Sequence, residues 1–213
     1  MVSLLKKHKT IKKVLLVLLV SFLSFVVFSV AASAVVFEFI FQRADYYDET
    51  LPTYADLDEK LYPRKEVGFA SSNGKLYGYF SGLDIESKNG VVIIAGGIQS
   101  SAERYLPAVT FFVDNGWCVF CYDGTGVGKS DGDSLVGLPQ NKVDLINAID
   151  FVRQEPKLTS LPLVLYGHSV GGYASLAAIN DRPEEIAAVV SMGAFEAPAK
   201  TMHYHAKQYV GIL

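Results

Sequence analysis

The chain has 213 residues, half of them apolar, which is enough for one globular domain of ordinary size with a sizeable core. Its formal net charge is −3, but five of its 19 lysine and arginine residues lie in the first 13 positions. The rest of the chain therefore has 14 basic and 22 acidic side chains. This balance argues against a nucleic-acid partner, and the composition argues against a disordered or fibrous protein.

An uncharged apolar segment of 24 residues follows the lysines, from Val14 to Phe37. At about 1.5 Å per helical residue it exceeds a hydrocarbon core about 30 Å thick. Ala32-Ser33-Ala34 resembles the cleavage site of a secretory signal, but the apolar segment is longer than the usual core of about 7–15 residues and continues past that site. We therefore predict an uncleaved transmembrane anchor over 14–41, with a cleaved signal sequence as the alternative. The positive-inside rule predicts that the basic segment 1–13 is cytoplasmic and that the rest of the protein is extracytoplasmic, at the cell membrane.

Residues 42–64 show no clear periodicity and are predicted to be a linker, whereas 65–213 are predicted to form the folded domain. Two short runs around Asn73-Gly74 predict a β-hairpin. Beyond it, apolar runs typical of buried strands (91–95, 117–123, 162–167) and a fourth predicted strand (186–194) alternate with helical patterns (101–116, 138–156, 171–180). This alternation predicts an α/β fold of three layers, with a mostly parallel sheet covered by helices on both faces.

The two cysteines, Cys118 and Cys121, fall in one predicted strand. Three residues apart on a strand, their side chains point to opposite faces, so we predict neither a mutual disulfide nor a shared metal. Both are predicted to be small core residues. Since the sequence has no metal-ligand spacing, we predict no metal and no other cofactor.

The segment DGTGVGKS, residues 123–130, differs by one residue from the phosphate-loop pattern G-x-x-x-x-G-K-[ST], because Asp123 stands at the first glycine. A phosphate loop needs its Lys-Ser pair to open a helix, whose N-terminal amides bind the phosphates. Here Lys129-Ser130 is followed by DGDSLVGLP, with two aspartates and two glycines before any helix. We therefore predict a glycine-rich turn and no nucleotide.

A stronger signal is Gly167-His168-Ser169-Val170-Gly171, which matches the pattern G-x-S-x-G. It follows an apolar strand and opens a helix of small residues, the context in which such a serine is held in a strained turn at the carboxyl edge of a sheet. Gly167 and Gly171 remove side chains that would collide with neighbouring elements. The pattern therefore predicts that Ser169 is a nucleophile and not an incidental serine of a plain β–α turn.

From about residue 65 to 200 the sequence resembles the α/β-hydrolase superfamily in three segments. VVIIAGGIQSS resembles the strand and oxyanion loop, with Gly96 where a histidine is common and Gly97 at the usual glycine. GWCVFCYDGTGVGKSDG resembles the strand that ends in D-x-R-G-x-G-x-S, with Thr125 where arginine is common, and LYGHSVGGYAS resembles the nucleophile elbow. With the predicted anchor, the set is most similar to bacterial membrane-anchored hydrolases of the serine-aminopeptidase or monoacylglycerol-lipase-like kind.

The resemblance implies acyl transfer on a small-molecule or peptide substrate. Ser169 attacks an ester or amide carbonyl, a histidine accepts its proton, and the backbone N–H groups of Ile98 and Val170 bind the oxyanion. The family order places the acid and the histidine after later strands, and the candidates here are Glu196, His203 and His205. Because APAKTMHYHAKQYV is predicted to be a helix, the seven residues from Glu196 to His203 would rise about 10 Å, too far for a carboxylate to hold the imidazole.

We therefore expect these 213 residues to be the N-terminal part of a longer hydrolase, with a nucleophile and an oxyanion loop but no complete triad and little activity alone. The alternative is a membrane-anchored binding protein that uses the fold without chemistry. The lack of a suitably placed histidine favours this alternative, whereas the glycine-rich loop from Gly96 to Ile98 counts against it.

Overall fold

The computed structural model describes residues 2–45, 50–86 and 88–210, and the chain divides into two units between Phe41 and Gln42. The first unit is one helix of 40 residues, α1 (Val2–Phe41). Its stretch Ile11–Phe41 contains an 18-residue segment with a mean hydropathy of 2.9 and is long and apolar enough to cross a membrane, a property that signal sequences share.

The second unit contains a six-stranded sheet and its helices. The strands are β1 (Arg64–Ser71), β2 (Gly74–Ser81), β3 (Val91–Ala95), β4 (Cys118–Asp123), β5 (Leu163–His168) and β6 (Ala188–Met192). The α-helices are α2 (Leu106–Asp114), α3 (Gln140–Arg153), α4 (Val170–Ala178) and α5 (Pro198–Val210), and short 3₁₀ helices span Tyr54–Asp56 and Ala102–Tyr105.

The strand order is β1-β2-β4-β3-β5-β6. The hairpin predicted around Asn73-Gly74 is formed by β1 and β2, which are antiparallel, and β2 also pairs antiparallel with β4. The four remaining strands are parallel, with Val91 of β3 opposite Cys118 on one side and Leu163 on the other. The mostly parallel sheet predicted from the sequence is therefore confirmed.

Helices cover both faces of the sheet, and β4 shows how its side chains alternate between two cores. Cys118 lies in the cluster that includes α3 and α4, whereas Cys121 lies in the cluster that includes α2. Both thiols are free and buried, as predicted, and burial raises the pKa of Cys118 to about 12. The three-layer arrangement is therefore built on strands that are buried on both faces.

One helix differs from the sequence-based expectation. The predicted helix over 101–116 is divided into a 3₁₀ turn and α2, which begins at Leu106 with Pro107 in its first turn. Proline is tolerated at that position because the first helical N–H groups have no partner within the helix. The division matters for the site, because the 3₁₀ turn directly follows the loop at the end of β3.

Candidate active site

Ser169 lies at the carboxyl end of β5, where the chain turns into α4. Its backbone has φ 56° and ψ −118°, a region that residues with a Cβ rarely adopt. The turn is held on both sides, since the Ser169 N–H donates to the Met192 carbonyl at 2.8 Å and the Tyr173 N–H donates to the Ser169 carbonyl at 3.1 Å. The serine is half-buried and stands at the edge of the sheet.

The two glycines of the motif leave no room for side chains. A Cβ at Gly171 would lie 2.0 Å from the carbonyl oxygen of Ala95, and one at Gly167 would lie 2.4 Å from the carbonyl oxygen of Gly171. These neighbours are backbone atoms of β3 and α4, which cannot move aside cheaply. The close approach of strand and helix at the elbow therefore requires glycine at both positions.

The loop after β3 lies against Ser169. A Cβ at Gly97 would be 3.5 Å from the Cβ of Ser169 and 3.2 Å from Nδ1 of His168. Ile98 follows at the bend, and Gln99 has a φ of 55°. The structure thus brings the loop that carries Ile98 to Ser169, and Val170 is the first residue of α4.

The segment after β4 forms the predicted glycine-rich turn. Asp123 is buried and accepts a hydrogen bond from the Ala102 N–H at 2.7 Å, and burial raises the pKa of its carboxyl. The Ser130 hydroxyl donates to the Asp123 carbonyl at 2.6 Å, and Lys129 pairs with Glu66 at 2.6 Å. Within the described part of the chain the next helix is α3, so Lys129 and Ser130 do not open a helix as a phosphate loop requires.

The two departures from the hydrolase pattern, Gly96 and Thr125, line the same small cavity, which has room for about one water molecule. The Thr125 N–H and hydroxyl donate to the buried carboxylate of Asp144 at 2.8 and 2.9 Å. Gln140 and Ser71 also donate to that carboxylate, each at 2.8 Å. Four neutral donors thus form hydrogen bonds with the Asp144 carboxylate, and no sequence motif predicted these contacts.

Arg43, within the segment predicted to be a linker, binds the glycine-rich turn. Its guanidinium donates to the carbonyl oxygens of Gly128, Ser130 and Gly132 at 2.5, 2.9 and 2.8 Å. Backbone hydrogen bonds between Ala44 and the same turn flank these contacts. No local sequence signal indicates them, because the partners are 85 to 89 positions apart.

The acid and base candidates lie after β6. Glu196 precedes α5 and accepts a hydrogen bond from Lys200 at 2.5 Å. His203 and His205 lie on α5 as predicted, and both are exposed. The structure therefore places Glu196 against a lysine, and it places both histidines on an exposed helix.

Comparison with known proteins agrees with the resemblance to the α/β-hydrolase superfamily. The serine aminopeptidase S33 family matches residues 86–212. The uncharacterized protein YfhR of Escherichia coli O157:H7 is 30% identical over 138 residues, which cover 60% of this chain and 48% of YfhR. The polyketide transferase GrgF of Penicillium is 26% identical over 125 residues, which cover 54% of this chain and 40% of GrgF. The chain thus spans about half the length of the curated relatives that it matches.

Solved structures show the same fold. An esterase of Pyrococcus furiosus, PF2001, aligns with a TM-score of 0.61 at 20% identity, covering 76% of this chain and 63% of the esterase. A thermostable carboxyl esterase of Bacillus coagulans aligns with a TM-score of 0.56 at 20% identity, covering 70% of this chain and 50% of its own. At these identities the likeness establishes the α/β-hydrolase fold.

Proposed function

Because the chain belongs to the serine aminopeptidase S33 family of α/β hydrolases, we propose that it is a membrane-anchored serine hydrolase that forms an acyl-enzyme on Ser169. Its substrate is an ester or amide of a small molecule or a peptide. The observation that carries the proposal is the strained backbone of Ser169 beside the glycine-rich loop at Gly97. Strain of this kind at a serine on the carboxyl edge of a sheet is typical of a nucleophile elbow.

In the proposed reaction the Ser169 Oγ bonds to the substrate carbonyl carbon and its proton passes to a histidine. The carbonyl electron pair moves to oxygen, and the N–H groups of Ile98 and Val170 bind the resulting oxyanion. Collapse of this intermediate breaks the bond to the alcohol or amine, which takes the proton from the histidine. Water then repeats the two steps on the acyl-enzyme and releases the acid.

We propose that the histidine and its acid come from polypeptide that adds to β6. One face of this strand is exposed, with Val190 43% and Met192 47% exposed, although parallel strands are normally buried on both faces. The chain also covers only about half of its curated relatives. A further strand beside β6, with its connecting helix packed on the exposed face, would bury these side chains and extend the edge of the sheet at which Ser169 lies.

Membrane anchoring is proposed from α1. Its apolar stretch follows a lysine-rich segment, which retains the N-terminus in the cytoplasm and leaves the hydrolase domain extracytoplasmic. Alkaline extraction of source membranes tests this proposal, because an anchored chain stays in the pellet, whereas a chain cleaved near Ala34 is released.

The nucleophile is tested in membranes of the source organism with a biotinylated fluorophosphonate. We expect a covalent adduct on Ser169, identified by peptide mass, and none on the Ser169→Ala variant expressed at the same level. The isolated 213-residue chain should turn over a p-nitrophenyl ester only slowly. Rapid turnover that Ser169→Ala abolishes would show that these residues contain their own base, contrary to the proposal.

The second candidate function is a non-catalytic binding protein on the same fold. The contact between Glu196 and Lys200, and the exposure of His203 and His205, favour it. This function predicts that Ser169 acquires no adduct in native membranes even where the protein is abundant.

A further inference from the structure

Tyr105, the last residue of the 3₁₀ turn, lies between the loop after β3 and the nucleophile elbow. Its hydroxyl accepts a hydrogen bond from the Gly97 N–H at 2.7 Å and lies 3.1 Å from Nδ1 of His168. Its ring lies against Gly96, where an added Cβ would be 3.0 Å from the ring edge. One side chain thus contacts the two chain segments that would have to be aligned for acyl transfer.

The Gly97 hydrogen bond determines which N–H group of the loop can bind an oxyanion. Because the Gly97 N–H is already bound to Tyr105, it is not available to an oxyanion. The N–H of Ile98, the next residue, is then the donor that the loop can offer, as the resemblance to α/β hydrolases implies. The hydroxyl therefore controls the orientation of the peptide that precedes this donor.

The backbone turn that carries Tyr105 is fixed by contacts of its other residues. The 3₁₀ turn is fixed at Ala102, whose N–H donates to the buried Asp123, and at Glu103, which pairs with Arg64 at 2.5 Å. Burial raises the pKa of Tyr105, so the hydroxyl keeps its proton. A protonated hydroxyl can accept from the Gly97 N–H and also form a hydrogen bond with Nδ1 of His168, in a direction that depends on the imidazole tautomer.

We propose that Tyr105 is a positioning residue of the acyl-transfer site, whose hydroxyl holds the Gly97 peptide and the His168 ring so that the Ile98 N–H faces the carbonyl attacked by Ser169. This inference rests on the proposed function. It assigns Tyr105 no contact with substrate, because the residue acts through the loop and the elbow.

The test compares Tyr105→Phe with Tyr62→Phe in the full chain. Phenylalanine at 105 keeps the ring against Gly96 and removes only the hydroxyl. Tyr62 offers a matched control, because its hydroxyl binds Asp114 on the surface at 2.9 Å, away from the site loops.

The first measurement is amide hydrogen exchange at Gly97, by NMR of detergent-solubilised protein labelled with ¹⁵N-glycine. We expect exchange about tenfold faster in Tyr105→Phe, as for the loss of one hydrogen bond, with the other glycine amides reporting that the fold is intact.

The second measurement is the rate of fluorophosphonate labelling of Ser169 in native membranes. We expect a maximal rate about tenfold lower in Tyr105→Phe with an unchanged half-saturating probe concentration, because the hydroxyl aligns a donor and binds no probe. Equal Gly97 exchange in the two variants overturns the proposal, and so does faster exchange with an unchanged labelling rate. If even the wild-type protein acquires no Ser169 adduct, the proposed function fails, and Gly97 exchange alone decides whether Tyr105 positions the loop.

Discussion

The backbone of Ser169 adopts φ 56° and ψ −118°, which costs a residue with a Cβ about 1–3 kcal/mol. Ser169→Gly relieves this strain, whereas Ser169→Ala keeps the Cβ and loses only the hydroxyl. Glycine also makes the unfolded chain more flexible, which offsets about 0.5–1 kcal/mol of the free energy of unfolding that is gained when the strain is relieved. We expect the glycine variant to exceed the alanine variant by about 1 kcal/mol in free energy of unfolding, measured with urea. An alanine variant of equal or greater stability would show that the elbow is not strained.

Asp123 gives the domain a defined pH dependence. Burial raises the pKa of its carboxyl above the ordinary value of 3.8, so the folded state keeps the proton to higher pH than the unfolded state does. The free energy of unfolding that Asp123 contributes therefore falls as pH rises above 3.8 through the raised pKa, and it stays low beyond that. Asp123→Asn retains an oxygen that can accept from the Ala102 N–H and has no such titration.

The difference in unfolding free energy, wild type minus Asp123→Asn, should thus decrease between about pH 4 and pH 7. Urea unfolding at fixed ionic strength across this range measures it. A difference that is constant or increases with pH would show that the folded carboxyl is not destabilised by its burial.

Residue positions could be predicted from the sequence only where they follow from local geometry. Ser169 and Gly171 stand in a five-residue motif whose strand–turn–helix context is visible in the sequence, and the structure forms that elbow. Tyr105, Asp144 and Arg43 acquire their contacts from segments that are distant in the chain. No periodicity or spacing encodes those contacts, so the structure was needed to find them.

Among the elements, the glycine-rich turn depends on a segment far from it in sequence. The guanidinium of Arg43 donates to three carbonyl oxygens of this turn from a rigid planar group. Arg43→Met keeps the apolar stem and removes the donors, so we expect it to lower the free energy of unfolding by about 1–3 kcal/mol. Amide exchange at Gly126 and Gly128, whose N–H groups donate to Asp131 and Ala44, should quicken as well.

Asp45→Asn is the matched control for Arg43→Met. It removes the exposed ion pair of Asp45 with Arg43 and leaves the carbonyl contacts in place. Exposed ion pairs contribute little, so we expect a change below about 1 kcal/mol. Equal effects of the two substitutions would mean that the contacts to the turn contribute nothing beyond the ion pair.

The strands and most helices could be predicted because each is encoded by a local pattern. Continuous apolar runs gave β3, β4 and β5 their buried positions, and small residues after the elbow gave α4 its close approach to β3. The helix expected over 101–116 shows the limit of such patterns. Its spacing is helical throughout, yet the contact of Ala102 with Asp123 belongs to a 3₁₀ turn, which periodicity does not distinguish from a first α-helical turn.

At the scale of the whole molecule, the sheet is unequally covered. Its centre is buried on both faces, whereas β6 forms an edge with exposed apolar side chains. The sequence of β6 predicted a strand, and its apolar residues suit a buried position, because a pattern records the environment for which a strand is suited. Which neighbour provides that environment is a property of the complete sheet and cannot be read from one strand.

An exposed parallel edge of this kind is a site for pairing with another chain. We therefore expect the isolated 213-residue chain, solubilised in detergent, to self-associate through β6. Val190→Lys places a charge on this edge at a side chain that is 43% exposed, and it should lower the self-associated fraction several-fold. Val143→Lys is the control, because Val143 is 38% exposed on α3 and lies on no sheet edge. Sedimentation velocity measures both variants. If the two variants self-associate to the same extent, contacts elsewhere in the chain join the copies. The exposed residues of β6 are then not the surface to which a further strand binds.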